Sequence, residues 1–528
     1  MTTPATLRAL IDERAAQYPD TPFLLTPCAD GTNATSAALT FGELRDACRV
    51  LEMRFRDAGL DHGDVVSVFM GNGIQTATLL LAAMYSGLVA NPLNLLCQPS
   101  QVRYIVEHSD TRAIFVAPES RDAIESAIQA LRTEGLEREI MLVTAAAEAC
   151  EAPVFMRPEL VFADAPAPAP SSLQVDESLT RDVALLMYTS GTTGLPKGVM
   201  LTHRNLLANA VNITSEHRLG PADRVLASLP FYHINGLVVT LLAPLFHGGS
   251  VVMAPRFSAR TFWRDVTNHA CTWINVVPTI IAYLLNQEDT HSCDLSALRF
   301  CRSASAALPV EHHRAFEARF GVGVIETMGM TETAAPAFSN PYEAELRRIG
   351  SIGRPSGASG RVIDLQGREC AANECGEIVL RGEQVMHGYY KRAEETRAAF
   401  TADGWLRTGD LGFRDADGYF YINGRAKELI IKGGENIAPR EIDEALLKHP
   451  GVLEAAAVGV PDAAYGQEIV AYVVPRQCDG APALDLVDLH QHCLRELGRY
   501  KTPKEFRLIG ELPRGPSGKV QRLKLLQS

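Results

Sequence analysis

Eleven residues, Tyr188-Thr-Ser-Gly-Thr-Thr-Gly-Leu-Pro-Lys-Gly198, bring together three Gly, four Ser/Thr hydroxyls and one Lys. The apolar run Val183-Ala-Leu-Leu-Met187 precedes them and reads as a buried strand. A strand that opens into such a loop exposes backbone N–H groups and hydroxyls together. That chemistry suits oxygen anions, most often the phosphates of a nucleotide. The spacing is not that of the P-loop, which separates its glycines more widely and ends in Lys-Ser or Lys-Thr. A plain surface loop also favours Gly and Ser, but it leaves Pro196-Lys197-Gly198 without a reason.

The elements that must hold this loop alternate between strand and helix. Asp64-Val-Val-Ser-Val-Phe-Met70 reads as a strand, residues 72–87 as a helix, and Val89-Ala-Asn-Pro92 and Arg112-Ala-Ile-Phe-Val-Ala117 as further strands. Leu39-Thr-Phe-Gly-Glu43 opens a helix. The pattern resumes with strands near 225–229, 250–254, 273–276 and 322–326. This is α/β layering with a mainly parallel sheet. Residues 165–170, Ala-Pro-Ala-Pro-Ala-Pro, read as a stiff extended linker or strap. From 349 to 424 the helices fade into short Gly- and Asp-punctuated strands such as Glu377-Ile-Val-Leu-Arg381 and Tyr419-Phe-Tyr-Ile422. That stretch reads as a β-rich subdomain. After Gly424 the mixed pattern returns over enough chain for a separate C-terminal domain.

Size and composition bound the rest. The chain has 528 residues, 46% hydrophobic and 21% charged, and a formal net charge of −12. The length exceeds what one core usually supports. The acidic balance and the lack of a long basic run argue against nucleic acid or an anionic membrane as partner. No signal-peptide layout and no apolar run of membrane-spanning length stand out. The 11 Cys are scattered without a CxxC pair, and Cys370 and Cys375 lack His ligands beside them. A reduced, cytoplasmic protein without structural zinc is the expectation.

Five motifs now stand in order: Tyr188 to Gly198, Met328-Gly-Met-Thr-Glu332, Trp405-Leu-Arg-Thr-Gly-Asp410, Gly424-Arg-Ala-Lys-Glu428, and Pro513-Arg-Gly-Pro-Ser-Gly-Lys519. Over almost its whole length the chain resembles the adenylate-forming superfamily of acyl-CoA synthetases, luciferases and peptide-synthetase adenylation domains. The resemblance implies a large N-terminal domain of several subdomains over 1–424, a hinge at 425–427 about Lys427, and a small mobile α+β lid over 428–528. It implies ATP, Mg²⁺ and coenzyme A as reactants and cofactor. A carboxylate resists nucleophiles, and attaching AMP removes its charge and supplies a leaving group. Positive charge must sit between the carboxylate and the α-phosphate. By resemblance Lys519 supplies that charge, Glu332 binds Mg²⁺, and Thr331 donates to the α-phosphate. A single Glu suffices when phosphates complete the Mg²⁺ shell. Thr331-Glu332-Thr333 also reads as the capped start of a helix. Thr189, Ser190, Gly191, Thr192, Thr193, Gly194 and Lys197 become the grip on the phosphates that leave as pyrophosphate. Ser305, Ala306, Met328, Gly329, Asp410, Ile422 and Arg425 become the adenine and ribose site, Asp410 accepting from the ribose hydroxyls. Met328 departs from the family, which usually has an aromatic residue there; a thioether still packs on the ring face.

The second half-reaction needs the lid to swing away. The resemblance assigns Lys432, Gly433 and Gly434 to the face met by coenzyme A, the glycines letting a pantetheine arm approach the backbone; a hairpin turn is the alternative reading. Substrate-pocket candidates are His233, Asn235, Gly236, Ser303, Thr327 and Thr333, a polar set. Where peptide-synthetase domains carry an Asp for the amino group, this chain has His233. Arg302-Ser-Ala-Ser305 and Phe338-Ser-Asn-Pro341 look similar to the matching stretches of ligases for small anionic acids. The expectation is an ATP-dependent ligase joining coenzyme A to a short acid with a second polar or anionic group, such as oxalate or sulfoacetate. A medium-chain or aromatic acid, or loading of a carrier protein, are the alternatives. Residues 513–519 also resemble the lysine-acetylation site of bacterial CoA ligases, so a lysine acetyltransferase acting on Lys519 is an expected partner. Monomer and homodimer stay open.

Overall fold

The computed structural model describes residues 4–27, 37–148, 182–189, 195–287, 293–425, 428–476, 484–514 and 520–526. The Ala-Pro segment 165–170, residues 190–194, Lys427 and Lys519 lie outside these. Among the described residues no helix is long and apolar enough to cross a membrane.

Four sheets organise the described chain. A seven-stranded sheet has a parallel centre built from Val65–Phe69, Val89–Pro92, Ala113–Val116, Met141–Thr144 and Val183–Thr189. Its strands are apolar on both faces because helices cover both. The helix Ile74–Tyr85 is buried along its whole length, so its sequence shows no polar stripe. The N-terminus of the helix Phe41–Asp57 is fixed by Thr40 and Glu43, each side chain bonding the other's backbone N–H.

A nine-stranded sheet holds Arg224–Ala227, Ser250–Met253, Trp273–Val276, Phe300–Ser303 and Val324–Met330 as parallel neighbours. Beside them, Ala335–Ser339 and Arg354–Pro355 run antiparallel. The β-rich stretch is therefore shared out. Arg354–Pro355 belongs to the nine-stranded sheet, and Gly388–Tyr389 to the seven-stranded one. Only Ala358–Ile363, Gly376–Gly382, Leu406–Arg414 and Phe420–Arg425 form a four-stranded sheet of their own. One short helix, Ala393–Ala398, interrupts the stretch.

The fourth sheet draws all five strands from after residue 428, with the long hairpin Val452–Asp462 and Gly466–Pro475 at its heart. It carries its own apolar clusters, one around Ile430, Ile442 and Leu489 and another around Val458, Tyr472 and Leu512.

Candidate active site

The candidate phosphate loop joins two antiparallel strands. Val183–Thr189 runs out, Lys197–Thr202 returns antiparallel, and Thr189 stands opposite Lys197. Residues 190–194 lie between these ends, outside the described residues. Two contacts from far along the chain fix the returning strand. Tyr390 N donates to Gly198 O at 2.8 Å, and His387 N to Met200 O at 3.0 Å. The same segment reaches the next motif, because Met386 N donates to Glu332 O at 2.8 Å.

Tyr389 completes this junction. Its phenol donates to Glu332 Oε1 at 2.8 Å, and the Lys197 ammonium lies 4.8 Å from its ring centroid. Burial, then the neighbouring Glu332 charge, pushes the phenol pKa up, so the proton stays on Tyr389. Glu332 is 8% exposed, and its Oε2 takes no hydrogen bond from a described residue. Motif reasoning missed Tyr389, because nothing in its own stretch announces a link to Lys197 or Glu332.

The turn that carries Glu332 is tightly specified. Gly329 has no room for a side chain: a Cβ there meets Ala335 O at 1.9 Å. Thr331–Thr333 forms a single 3₁₀ turn rather than the opening of an α-helix. Thr333, not Thr331, makes the cap, with Oγ1 accepting from Met330 N at 3.0 Å and donating to Ala335 O at 2.7 Å. Its hydroxyl is thereby committed to the loop. Thr331 is half-buried; its backbone O accepts from Ala334 N at 3.1 Å, while its hydroxyl makes no hydrogen bond with a described residue and is left open to a ligand. Ala334 and Ala335 follow at φ 51° and 97°. Two successive non-glycine residues in the left-handed region are strained, and Asn209 Nδ2 holds the turn with bonds to the carbonyls of Thr333, Ala334 and Pro336.

The nucleoside side is assembled from two sheets. Met328 is buried in the main apolar cluster and pairs across to Phe338. Ser305 sits at φ 74° and Ala306 beside it is exposed. In the four-stranded sheet Asp410 faces Arg425 in register, with Arg425 Nε 2.9 Å from Asp410 Oδ1. Asp410 is 4% exposed, so Arg425 offsets the cost of burying its charge. Ile422 O accepts from Arg440 Nη1 at 2.8 Å, tying this sheet to the C-terminal unit.

The stretch expected to meet the acid carries several polar side chains. Pro230 is followed by Phe231, Tyr232, His233 and Ile234, and then by a π-helix, Asn235–Leu242. π-Helical turns are uncommon and often accompany functional sites. Gly236 is required there, since a Cβ meets Pro230 O at 2.2 Å. His233 N donates to Pro230 O at 3.1 Å, and its ring packs on Tyr232. Asn235 Nδ2 donates to Ser305 Oγ at 3.2 Å, linking this helix to the adenine loop.

Behind Asn235 lies Arg302, 1% exposed. Its Nη1 donates to Asn235 Oδ1 at 2.8 Å and to Asn275 Oδ1 at 2.6 Å. Its Nε has no partner, and no carboxylate among the described residues pairs with it. Burial pushes the guanidinium pKa down to about 9, which leaves it charged at neutral pH. The next residue, Ser303, pairs in register with Glu326. Strand alternation turns it to the face opposite Arg302. Ser303 Oγ is sealed there without a partner. Arg302, rather than the candidate Ser303, is the residue bonded to Asn235. Thr327 Oγ1 donates to Ser303 O at 3.4 Å.

On the C-terminal unit, the described residues on either side of 515–519 pair with one another. Gln521 N donates to Pro513 O at 2.8 Å, and Arg514 bridges Val520. Arg514 Nη1 donates to Thr279 Oγ1 at 3.2 Å, beside Val277 and Pro278 on the acyl side. Arg522 pairs with Asp443 and Glu428. Gly433 and Gly434, at φ 56° and 87°, form the turn between Ile430–Lys432 and Glu435–Ile437. Lys432 turns inward: it is 6% exposed, 2.5 Å from Glu468 Oε1 and 3.0 Å from Tyr500 O. Its ammonium is spent inside the domain, while Gly433 and Gly434 are exposed beside Ile431 and Glu435. Among the described residues no group of three or more His, Cys, Asp and Glu gathers to hold a metal alone.

Comparison with known proteins agrees with this layout. Residues 11–390 match the family described as AMP-binding enzyme, and residues 441–519 its C-terminal domain. The chain is 64% identical over 521 residues to sulfoacetate–CoA ligase of Cupriavidus necator, covering 99% of this chain and 97% of that protein. It is 35% identical over 522 residues to oxalate–CoA ligase of Arabidopsis thaliana, covering 98% and 97%. Among solved structures, O-succinylbenzoate–coenzyme A synthetase of Bacillus subtilis, in complex with ATP and magnesium ion, superposes with a TM-score of 0.80 at 28% identity, covering 98% of each chain.

Proposed function

The chain belongs to the AMP-binding enzyme family and is an ATP-dependent acid–CoA ligase; from that premise we propose that its acid is short and carries a second anionic group, with sulfoacetate the foremost candidate. One observation carries this reading. Asn235, Asn275 and Arg302 form a buried, mutually bonded polar cluster where the acid is expected. A fatty or aromatic acid leaves these groups unmatched, a penalty that discriminates more strongly than the loss of apolar contact. The 64% identity with a sulfoacetate–CoA ligase supports the same choice.

The chemistry proceeds in two steps. A carboxylate oxygen of the acid attacks the α-phosphorus of ATP, and the bond to the β-phosphate breaks to release pyrophosphate. The thiol sulfur of coenzyme A then attacks the acyl carbon, the bond to AMP breaks, and the thiol proton is lost. Lys197 and the hydroxyls of 189–193 hold the departing phosphates. Thr331, with its hydroxyl uncommitted, binds the α-phosphate, and Asp410 the ribose. Glu332, a carboxylate with one unbonded oxygen, fits a hard divalent cation; Mg²⁺ bound there supplies charge neutralisation to the phosphates. Lys519 neutralises the meeting of carboxylate and α-phosphate; Arg514, in the same motif, contacts Thr279. Residues 425–427 act as the hinge that withdraws Lys519, and the Gly433-Gly434 turn then faces the thiol.

The division of labour is tested with K519A. It abolishes pyrophosphate release yet still forms thioester from a supplied acyl-adenylate; equal loss of both halves contradicts it. We place the enzyme in the cytoplasm, in keeping with the described cysteines, which are free thiols. Acetylation of Lys519 removes the charge on which the first step depends. Incubation with a lysine acetyltransferase and acetyl-CoA, followed by mass spectrometry, yields an acetyl group on Lys519; an unmodified lysine refutes this.

A further inference from the structure

Most buried arginines are matched by carboxylates, because an unpaired charge in a dry interior is costly. Arg302 breaks that pattern. It lies at the C-terminal end of a parallel strand, directly across from Asn275 in register. Two neutral amides accept from one nitrogen, Nη1, while Nε has no partner. A Met or Leu fills the same space without the desolvation cost. Stability therefore does not explain the charge. Ligands of open α/β sheets bind at the carboxyl ends of the strands, which is where Arg302 stands.

Building on the reading of a short dianionic acid, we infer that Arg302 receives the distal anionic group of the substrate, with Asn235 and Asn275 acting as positioning residues that aim its guanidinium. The two amides fix Nη1, while Nε, enclosed in this structure, and Nη2 make no hydrogen bond with a described residue, so these donors of the planar fork stay unspent until an anion enters beside them. A sulfonate or carboxylate accepts from such a fork through two oxygens. Asn235 also bonds Ser305 in the adenine loop, so one side chain sets the spacing between the distal anion and the nucleotide. That spacing selects chain length: the carboxylate reaches the α-phosphate only if the far anion sits on Arg302. The binding of that anion also removes the isolated charge, so the empty site is held at a cost that the correct acid relieves.

The experiment compares kcat/KM for sulfoacetate and for butyrate, which lacks the distal charge, in the full-length protein and its R302M, R302K and N275A variants. In R302M the loss with sulfoacetate exceeds the loss with butyrate by about 100-fold or more. R302K retains part of the preference, because it keeps the charge but not the fork. N275A raises KM for sulfoacetate about tenfold with little change in kcat, a clearly larger rise than it causes for butyrate. Should R302M not fold, R302K and N275A decide the matter through the same ratio. Equal losses on both acids, or none, overturn the assignment of Arg302. If the unmodified enzyme itself prefers hexanoate or benzoate to sulfoacetate, the reading of the substrate class fails instead.

Discussion

The phenol of Tyr389 donates at 2.8 Å to Glu332, 57 positions earlier in the sequence, while its ring carries the Lys197 ammonium on its face. The phosphate loop and the proposed metal carboxylate are thereby set by one side chain. Tyr389 acts through them rather than on the reacting atoms. Y389F removes the bond to a charged acceptor, worth about 1.5–3 kcal/mol, and keeps the ring under Lys197. The expected result is a rise in the Mg²⁺ concentration needed for half-maximal pyrophosphate release, with adenylation slowed about tenfold or more. An unchanged Mg²⁺ titration contradicts the coupling.

Asp410 is buried against Arg425 and is proposed to accept from the ribose hydroxyls. D410N keeps the shape but weakens both contacts. KM for ATP rises about tenfold or more, because hydrogen bonds to a charged acceptor are about twice as strong as neutral ones. The same change leaves the KM for the acid within a factor of about two, since Asp410 does not line the acyl side. A rise confined to the acid points to a different role for this carboxylate.

Much of the scaffold was legible in the sequence, and the reasons are local. Val89–Pro92 and Trp273–Val276 coincide with their expected ranges because short apolar runs bounded by breakers leave little choice. The Thr40–Glu43 signature marks its helix start for the same reason. What escaped notice is built from distance along the chain. Tyr389 meets Glu332 only because Gly388–Tyr389 inserts beside Lys197–Thr202, leaving the β-rich region that its neighbours in sequence belong to. The π-helix at Asn235 follows a run so apolar that no period stands out. Arg302 and Ser303 are adjacent, and which of them faces the acyl side depends on strand direction and register with Asn275, neither visible in composition.

Three buried histidines make the fold sensitive to mild acid. Burial first of all pushes His203 and His247 down to about 4 and His217 down to about 3, from an ordinary value of 6.5. The native state holds them neutral while the unfolded chain protonates them. Their stability contribution is complete above pH ~6.5 and is lost as pH falls from there toward the folded values. Each loses about 1.4 kcal/mol per pH unit in that window. The midpoint of urea unfolding is expected to fall clearly between pH 7 and pH 5, above the range in which most carboxylates titrate. An identical midpoint at both values contradicts this account.

The central claim concerns the acid, and one measurement bears on it most directly: CoA-dependent pyrophosphate release by the full-length enzyme with sulfoacetate, oxalate, malonate, crotonobetaine, hexanoate and benzoate side by side. The account predicts the highest kcat/KM with a short acid bearing a second anionic group, sulfoacetate foremost. A higher kcat/KM with hexanoate or benzoate contradicts it.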